Sequence, residues 1–495
     1  MFMESVMKEN SFIKHFMVIG AGTLITMFMG LLTTPIITRI ITPEDYGQLS
    51  IFNMYTSIAI MVLCLGLDQS LVRYYYSEKD LKYRSGLLFK CVVVPVLSTV
   101  AISVIVIILS VFHIIEFEFA PKVIVLLCIH ILFQLIYRFS VLVVRLEYKS
   151  KLFSLLNILS KSVYVGLALP LMFFIKIDYF LSLILATVTA GLLCLLFSIF
   201  WQKDVWNFRN CTTQISVSFK SLVQYGWPFI ISMGMTQLFQ AVDKISLNYF
   251  CTYKEVGIYS SALSLVNIFA IIQSTFNSLW APMAVEHYEN DKEDCKFYQQ
   301  VNQYITIVMF GIGFSLILVK DLLVLLLGSE FREAAYILPF LIFNPIMYTI
   351  SETTVSGIVF MKKSKMQIVI GAISCLVNFV GNSFLVPVYG YKGAAISTGI
   401  SYIVFFTLRT LISNRYFYID FALTRFYIMT VIAVLYAWYN TFYQFGVISV
   451  VLYVICVSIL LLLYRRCASS GATYLYKMII ETLKIKKLKG EDNEK

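Results

Sequence analysis

Charge is what this chain has least of. Only 14% of its 495 residues are Asp, Glu, Lys or Arg, where soluble domains carry about 25%. Residues 16–38 and 47–67 contain no charge at all. A mean hydropathy of +0.81 excludes an ordinary soluble globular protein and means that lipid solvates most of the surface. The period-two alternation of a membrane barrel is also missing. Runs such as CVVVPVLSTVAISVIVIILSVF (91–112) are continuously apolar, so the spans are predicted to be helices.

Other absences narrow the chemistry. The ten cysteines form no CxxC pair. Most, such as Cys64, Cys128, Cys194 and Cys375, lie inside apolar runs and are expected to be free packing thiols, since metal sites need clustered ligands. The four histidines (His15, His113, His130, His287) are far apart. No GxSxG, Walker A, DxD or HExxH motif occurs. The longest connections, about 202–220, 284–298 and 320–334, are too short for a soluble catalytic domain. A cleaved signal peptide is not expected, because the first apolar run is too long for an h-region and lacks a small-residue cleavage site. No metal, organic cofactor or nucleic-acid partner is expected.

What is present is a series of fourteen candidate spans, each long enough for a hydrocarbon core of ~30 Å. They run roughly 15–38, 47–71, 87–111, 122–144, 152–175, 179–201, 221–248, 256–282, 299–319, 335–360, 366–388, 393–412, 422–441 and 446–464. The expected fold class is an all-α integral membrane protein. Lys and Arg are unevenly shared between the connections. The even-numbered ones hold nineteen and the odd-numbered ones seven (Arg39, Lys122, Lys176, Lys254, Lys320, Arg332, Lys392). Two more precede the first span and eight follow Tyr464. Basic residues favour cytoplasmic loops, so both termini are expected in the cytoplasm. The acidic stretch EHYENDKEDC (286–295) falls on that side too, but Asp and Glu weigh little in this rule. The net charge of +11 then follows from topology and a basic tail. The tail segment YLYKMIIETLKIKKLK (474–489) suits a helix lying on anionic lipid.

Once the cations near window ends are counted with the connections, six charges remain inside the windows: Arg138, Lys161, Lys244, Asp68, Asp243 and Glu352. An intramembrane charge costs several kcal/mol, which makes each a candidate functional residue. Lys161 and Glu352 are expected near the midplane, and Arg138 and Asp68 in the inner third. Asp243 and Lys244 are placed in the outer third, with Arg39 at the outer lip. Two explanations compete. One is mutual pairing, for instance Glu352 with Lys161 or Arg138. The other, favoured for Arg138 and Lys161, is a water-filled cavity that they line. For Asp68, Asp243 and Lys244, snorkelling toward the interface serves equally well.

The stretch RIITPEDYGQLSIF (39–52) sits between the first two apolar runs. Thr42 is predicted to cap a helix, Pro43 to occupy its first position and Asp45 to complete a capping box. Glu44 and Asp45 complement the positive helix end, and Gly47 permits close packing. Sliding the chain by 210 residues lays Thr42 on Thr252, Gly47 on Gly257 and Ser50 on Ser260, which points to an internal repeat. A second echo sets Asn157 and Lys161 beside Asn378 and Asn382, each an i, i+4 pair.

RIITPEDYGQLS is followed by LGLDQSLVRYY (65–75), DKISLNYFCTYKEVGIYSSA (243–262) and NFVGNSFLVPVYGYKGAAISTGISY (378–402). In this order and spacing they resemble the polysaccharide and O-antigen flippases of the multidrug/oligosaccharidyl-lipid/polysaccharide exporter superfamily, over nearly the whole chain. The resemblance implies two parallel six-helix lobes, 1–205 and 206–415, around a central cleft. Two additional spans (416–464) and a basic tail (465–495) would follow. It also implies a transporter rather than an enzyme. Its cargo would be undecaprenyl-pyrophosphate-linked oligosaccharide repeat units, moved from the inner to the outer leaflet of the bacterial cytoplasmic membrane for surface polysaccharide such as O-antigen, capsule or exopolysaccharide. A polymerase and chain-length machinery are the expected protein partners. On that basis Arg138 and Lys161 are candidates for the diphosphate, Arg73 for the inner mouth and Arg39 for the outer one. Glu352, Asp243 and Asp68 are candidate cleft carboxylates, with the coupling ion, proton or sodium, left open. The rivals are a peptidoglycan lipid-precursor flippase, a multidrug exporter and, further off, a membrane-embedded polymerase.

Overall fold

The computed structural model describes residues 29–467 and 469, apart from 31, 79, 176, 209–216 and 268. Among them every regular element is a helix. Residues 32–38 are helical and lead through a turn into α1 (Pro43–Leu63), α2 (Leu67–Tyr74), α3 (Leu81–Val111), α4 (Pro121–Leu146), α5 (Ser150–Phe173) and α6 (Tyr179–Phe200). Then come α7 (Phe219–Phe250), α8 (Tyr253–Val266), α9 (Phe269–Asn290) and α10 (Cys295–Leu318). Short turns precede α11 (Phe343–Thr354) and α12 (Ser356–Phe360). The chain closes with α13 (Lys365–Tyr389), α14 (Tyr391–Tyr416), α15 (Leu423–Phe442) and α16 (Val447–Leu463).

From the second window onward, every predicted span falls on a helix or a broken helix. Seven described helices are long and apolar enough to cross a membrane, and nine if each bent pair counts as one span. Most of the first window, His15 and the basic segment 474–489 lie outside the described residues. The protein is a multi-pass membrane protein. Its outward faces are those of a chain dissolved in lipid: α3 leaves Leu97, Ile102, Val104 and Ile105 exposed. Polar residues lie instead in the seams between helices, where small side chains let backbones approach and hydrogen bonds cross. Ser140 and Ser198 meet at 2.7 Å between α4 and α6, and Gln202 donates to both hydroxyls. Thr354 and Thr410 make the matching 2.7 Å contact between α11 and α14.

Helix starts follow local sequence. Thr42 accepts from the Asp45 amide and donates to the Asp45 carboxylate at 2.7 Å, with Pro43 in the first turn. The predicted cap is present, but here the acid accepts from the threonine hydroxyl. Asp80, Asp178 and Asp294 cap α3, α6 and α10 in the same side-chain-to-amide manner.

Packing divides the chain into two units. One holds the described residues as far as α8, with Leu327–Phe331; the other begins at α9 and holds the rest. The helices α7 and α8 thus pack with α1–α6, although the repeat assigns them to the second copy. A repeat boundary records sequence correspondence, and tight contact can cross it.

The contact between α1 and α8 is reciprocal. A Cβ on Gly47 would fall on the Tyr253 carbonyl oxygen, and one on Gly257 would fall on the Pro43 carbonyl oxygen. Pro43 and Tyr253 are themselves 210 residues apart. Ser50 and Ser260 then meet at 2.7 Å, and Tyr46 reaches Ser264 at 3.3 Å. The repeat legible in the sequence is therefore also a pair of surfaces that touch.

In the second unit α13 and α14 form a tight hairpin around Gly390, whose φ of 54° suits glycine. Asn378 and Asn382 are fully buried, and Ser397 donates to the Asn378 side chain at 2.9 Å. Asn378 braces this hairpin, whereas Asn157 and Lys161 on α5 are only half-buried. The echo between the two pairs is not an echo of environment.

Candidate functional site

The break between α1 and α2 builds the site. Leu65 and Gly66 both have positive φ (53° and 68°), and the two helices bend by 56°. Gly66 is required twice over: for its dihedral, and because a Cβ there would collide with the Gly226 carbonyl on α7. Ser70 donates to the Leu222 carbonyl at 2.6 Å and pins the bend to α7. Asp68 thus lands in the first turn of a new helix, where the positive helix end stabilises a carboxylate.

Arg138 of α4 meets Asp68 there. Its Nε and Nη2 both donate to Asp68 Oδ2, at 3.0 and 2.6 Å. The Gln69 amide donates to Oδ1 at 3.0 Å and its side chain to Oδ2 at 3.2 Å. The Asp68 side chain is the hidden partner, 5% exposed, and the Arg138 side chain the open one, 41% exposed. Both line a cavity of about 310 Å3. Its other walls include Ser57 and Met61 of α1, Cys64 just after it and Gln237 of α7. An acid that grips a cation from behind leaves that cation oriented and still able to meet an anion from the cavity.

The remaining sequence candidates distribute differently. Lys161 sits half-buried on α5, with no hydrogen bond or ion pair among the described residues, and is not a wall of this cavity. Arg73 is exposed on α2 and Arg39 is exposed in the turn before α1. Asp243 is buried and accepts from the Tyr259 hydroxyl at 2.6 Å, so it does not snorkel; its neighbour Lys244 is half-buried. Asp68 does not snorkel either.

The expected pairing of Glu352 with Lys161 or Arg138 is not formed. Glu352 accepts from Arg409 at 2.8 Å, within the second unit. Arg409 is 5% exposed, also donates to Ser351 at 2.6 Å, and lies 5.5 Å from the ring centres of Tyr348 and Phe405. Sequence reasoning missed it by counting it among the loop cations, although it lies within the twelfth window, 393–412. The helix continues to Tyr416, about one turn beyond that window. Lys320 was likewise treated as a loop cation but is fully buried, bonded to the Tyr443 carbonyl at 3.4 Å and to Asp321 at 3.2 Å. Its burial lowers the ammonium pKa, against the opposing pull of Asp321. No group of three or more metal-ligating side chains occurs among the described residues.

Comparison with known proteins adds family and fold. The chain matches the family described as polysaccharide biosynthesis protein over residues 36–336. It resembles the solved lipid II flippase MurJ in an inward closed conformation, with a TM-score of 0.66 at 14% identity, over 93% of this chain and 100% of that one. It resembles an inward-facing multidrug resistance MATE family transporter of the MOP superfamily with a TM-score of 0.57 at 12% identity, over 79% and 94%. At such identities the likeness is one of fold. No curated protein matches the sequence.

Proposed function

This chain belongs to the polysaccharide biosynthesis protein family, and from that premise we propose that it is a flippase for undecaprenyl-pyrophosphate-linked oligosaccharide repeat units. It carries them from the inner to the outer leaflet of the bacterial cytoplasmic membrane, with both termini in the cytoplasm, and does no covalent chemistry. The observation that carries the proposal is the cavity-facing guanidinium of Arg138, held by Asp68 inside a lipid-solvated helix bundle.

Such a cargo has three parts with different needs. The polyprenyl tail stays in lipid. The sugars need a wet, polar-tolerant path. The diphosphate needs a cation, and arginine offers it two parallel donors. Arg138 takes that role, with Lys161 as a second cation along the route and Arg73 and Arg39 at the inner and outer mouths. Glu352 is committed to Arg409 and Asp243 to Tyr259, so Asp68 is the carboxylate best placed to respond when an anion reaches Arg138. Membrane voltage favours the outward direction. Each charge crossing 100 mV is worth about 2.3 kcal/mol, so a diphosphate of charge about −2 gains roughly 4–5 kcal/mol when the interior is negative. Alternating access of the two halves is the corresponding cycle.

The fold shared with the lipid II flippase MurJ supports peptidoglycan precursor as the alternative cargo. Mass spectrometry of undecaprenyl-linked lipids in cells lacking the protein, with leaflet accessibility probed from outside, separates the two. A polysaccharide repeat unit trapped on the inner leaflet is the expected result. Trapped peptidoglycan precursor supports the alternative. A repeat unit already exposed outside points to a polymerase, and an unchanged lipid pool points to a drug exporter; either result overturns the proposal.

A further inference from the structure

The connection between α3 and α4 ends in the alternating stretch EFEFAP (116–121). Its two aromatic and acidic positions have separate duties. Phe119 turns inward, 7% exposed, edge-on to Tyr55 of α1 at 6.2 Å and 5.9 Å from Phe180 of α6. That anchor delivers Glu118 to the middle of α1, the last turn of α7 and the first residue of α8. Its carboxylate accepts from the Tyr55 hydroxyl of α1 at 2.6 Å, the Asn248 amide of α7 at 2.8 Å and the Tyr253 hydroxyl of α8 at 2.7 Å. One exposed side chain on a loop therefore ties α1 to the α7–α8 corner.

The tie lies beside the reciprocal α1–α8 contact. Tyr253, which donates to Glu118, also supplies the carbonyl that covers Gly47. One turn further along, Ser50 and Ser260 meet at 2.7 Å and are each 7% exposed. Glycine-on-backbone contact of this kind has no side chain that can rotate to make space, so it is either made or fully broken. Such a seam needs a separate element to hold it shut or release it. The charge distribution of the loops assigns this end of α1 and α8 to the outside.

We infer that Glu118 is a latch that holds α1 and α8 together at the outer end and must release before cargo leaves. The inference rests on the transport function proposed above. Three charge-assisted or polar hydrogen bonds converge on two oxygens, so losing the carboxylate removes all three at once. Because the site is exposed, water replaces them in part, and the closed seam loses population by roughly tenfold.

The test uses the purified full-length protein in nanodiscs. Cys211, Cys251, Cys295, Cys375 and Cys467 are replaced by serine and a reporter thiol is introduced as Ser50→Cys. The maleimide labelling rate of that thiol reads how often the seam opens, even when opening is rare. Glu118→Ala is expected to raise the rate about tenfold. Tyr253→Phe, which keeps the ring and removes one donor, is expected to raise it by a smaller factor. If Glu118→Ala is monodisperse and the rate stays at the parent value, the latch is refuted. If Glu118→Ala does not fold, Tyr253→Phe combined with Tyr55→Phe serves in its place, and an unchanged rate there has the same meaning. Cargo plays no part in this measurement. A seam that responds in a protein that moves no lipid-linked oligosaccharide would therefore keep the latch and discard the transport assignment.

Discussion

Arg138 and Asp68 should be unequal partners, and the inequality can be measured. In Arg138→Ala the Asp68 carboxylate, 5% exposed, keeps only the two Gln69 donors. Breaking a fully buried pair by removing one side costs about 3–5 kcal/mol, whereas exposed pairs are worth about 0.2–1 kcal/mol. With Arg138 41% exposed, solvent screening places the cost at about 1–3 kcal/mol. In Asp68→Asn the guanidinium loses its counter-charge, but it already faces the cavity and can hydrate, so the cost should stay below about 1 kcal/mol. Cargo binding should move in opposite directions. Unit charges about 4 Å apart interact by about 4 kcal/mol at an effective dielectric constant near 20, and cavity water and salt reduce this further. Asp68→Asn, by freeing Arg138 from its counter-charge, should then bind undecaprenyl pyrophosphate about tenfold more tightly, and Arg138→Ala at least about tenfold more weakly. The assay is a double-mutant cycle read twice, once as thermal unfolding in detergent and once as undecaprenyl pyrophosphate affinity. Equal stability losses with no coupling energy, or weaker binding by Asp68→Asn, would refute the reasoning.

Three further outcomes are expected. Gly66→Ala combines a positive-φ alanine with a clash against the Gly226 carbonyl, so it should destabilise by more than about 2 kcal/mol; fluorescence-detected size exclusion showing a normal monodisperse peak at normal yield would contradict this. Reporter fusions at Lys495 and Lys392 should give opposite sides of the membrane, and the same side for both would break the charge-derived topology. The Cys251 thiol, between α7 and α8, is pushed up to about 12 by burial and by its hydrogen bond to Glu255. It stays protonated at neutral pH, so in a variant that retains only this cysteine its iodoacetamide rate should still be climbing at pH 10; a plateau near pH 9 would exclude the shift.

How legible all this was depended on the range of the interaction. The Thr42 cap and the Pro43 start are local and could be read directly. The 210-residue correspondence of Gly47 with Gly257 and Ser50 with Ser260 was readable as repetition. That the two copies press against each other was not, because a repeat says nothing about mutual orientation. Depth along a helix placed Asp68 and Arg138 in the same third of the membrane, yet only the bend at Leu65–Gly66 turns them toward one another. Glu352 was matched by depth to the wrong cation because its partner, Arg409, three residues inside the end of the twelfth window, was counted with the following connection; a cation near a window's end looks the same in sequence whether it faces water or a buried carboxylate. Glu118 carried no signal as one of two exposed acids in a short connection. Its importance lies in three donors drawn from residues 55, 248 and 253.

The α1–α8 contact has the form of a homodimer interface written into one polypeptide. Residue 43 of one copy covers residue 47 of the other, and the reverse holds, as in an isologous association of two identical subunits. A single-copy protein carrying this glycine turn could form the same contact by pairing with itself, and each acceptable substitution would then be expressed on both sides at once. In the joined chain the two sides are free to diverge. Thr42 and Thr252 already differ in this way, since Thr42 accepts a capping hydrogen bond and Thr252 makes no side-chain cap. Fusion thus turns an obligatory symmetry into an adjustable one, and lets a single acid such as Glu118 be placed on one side of the axis only.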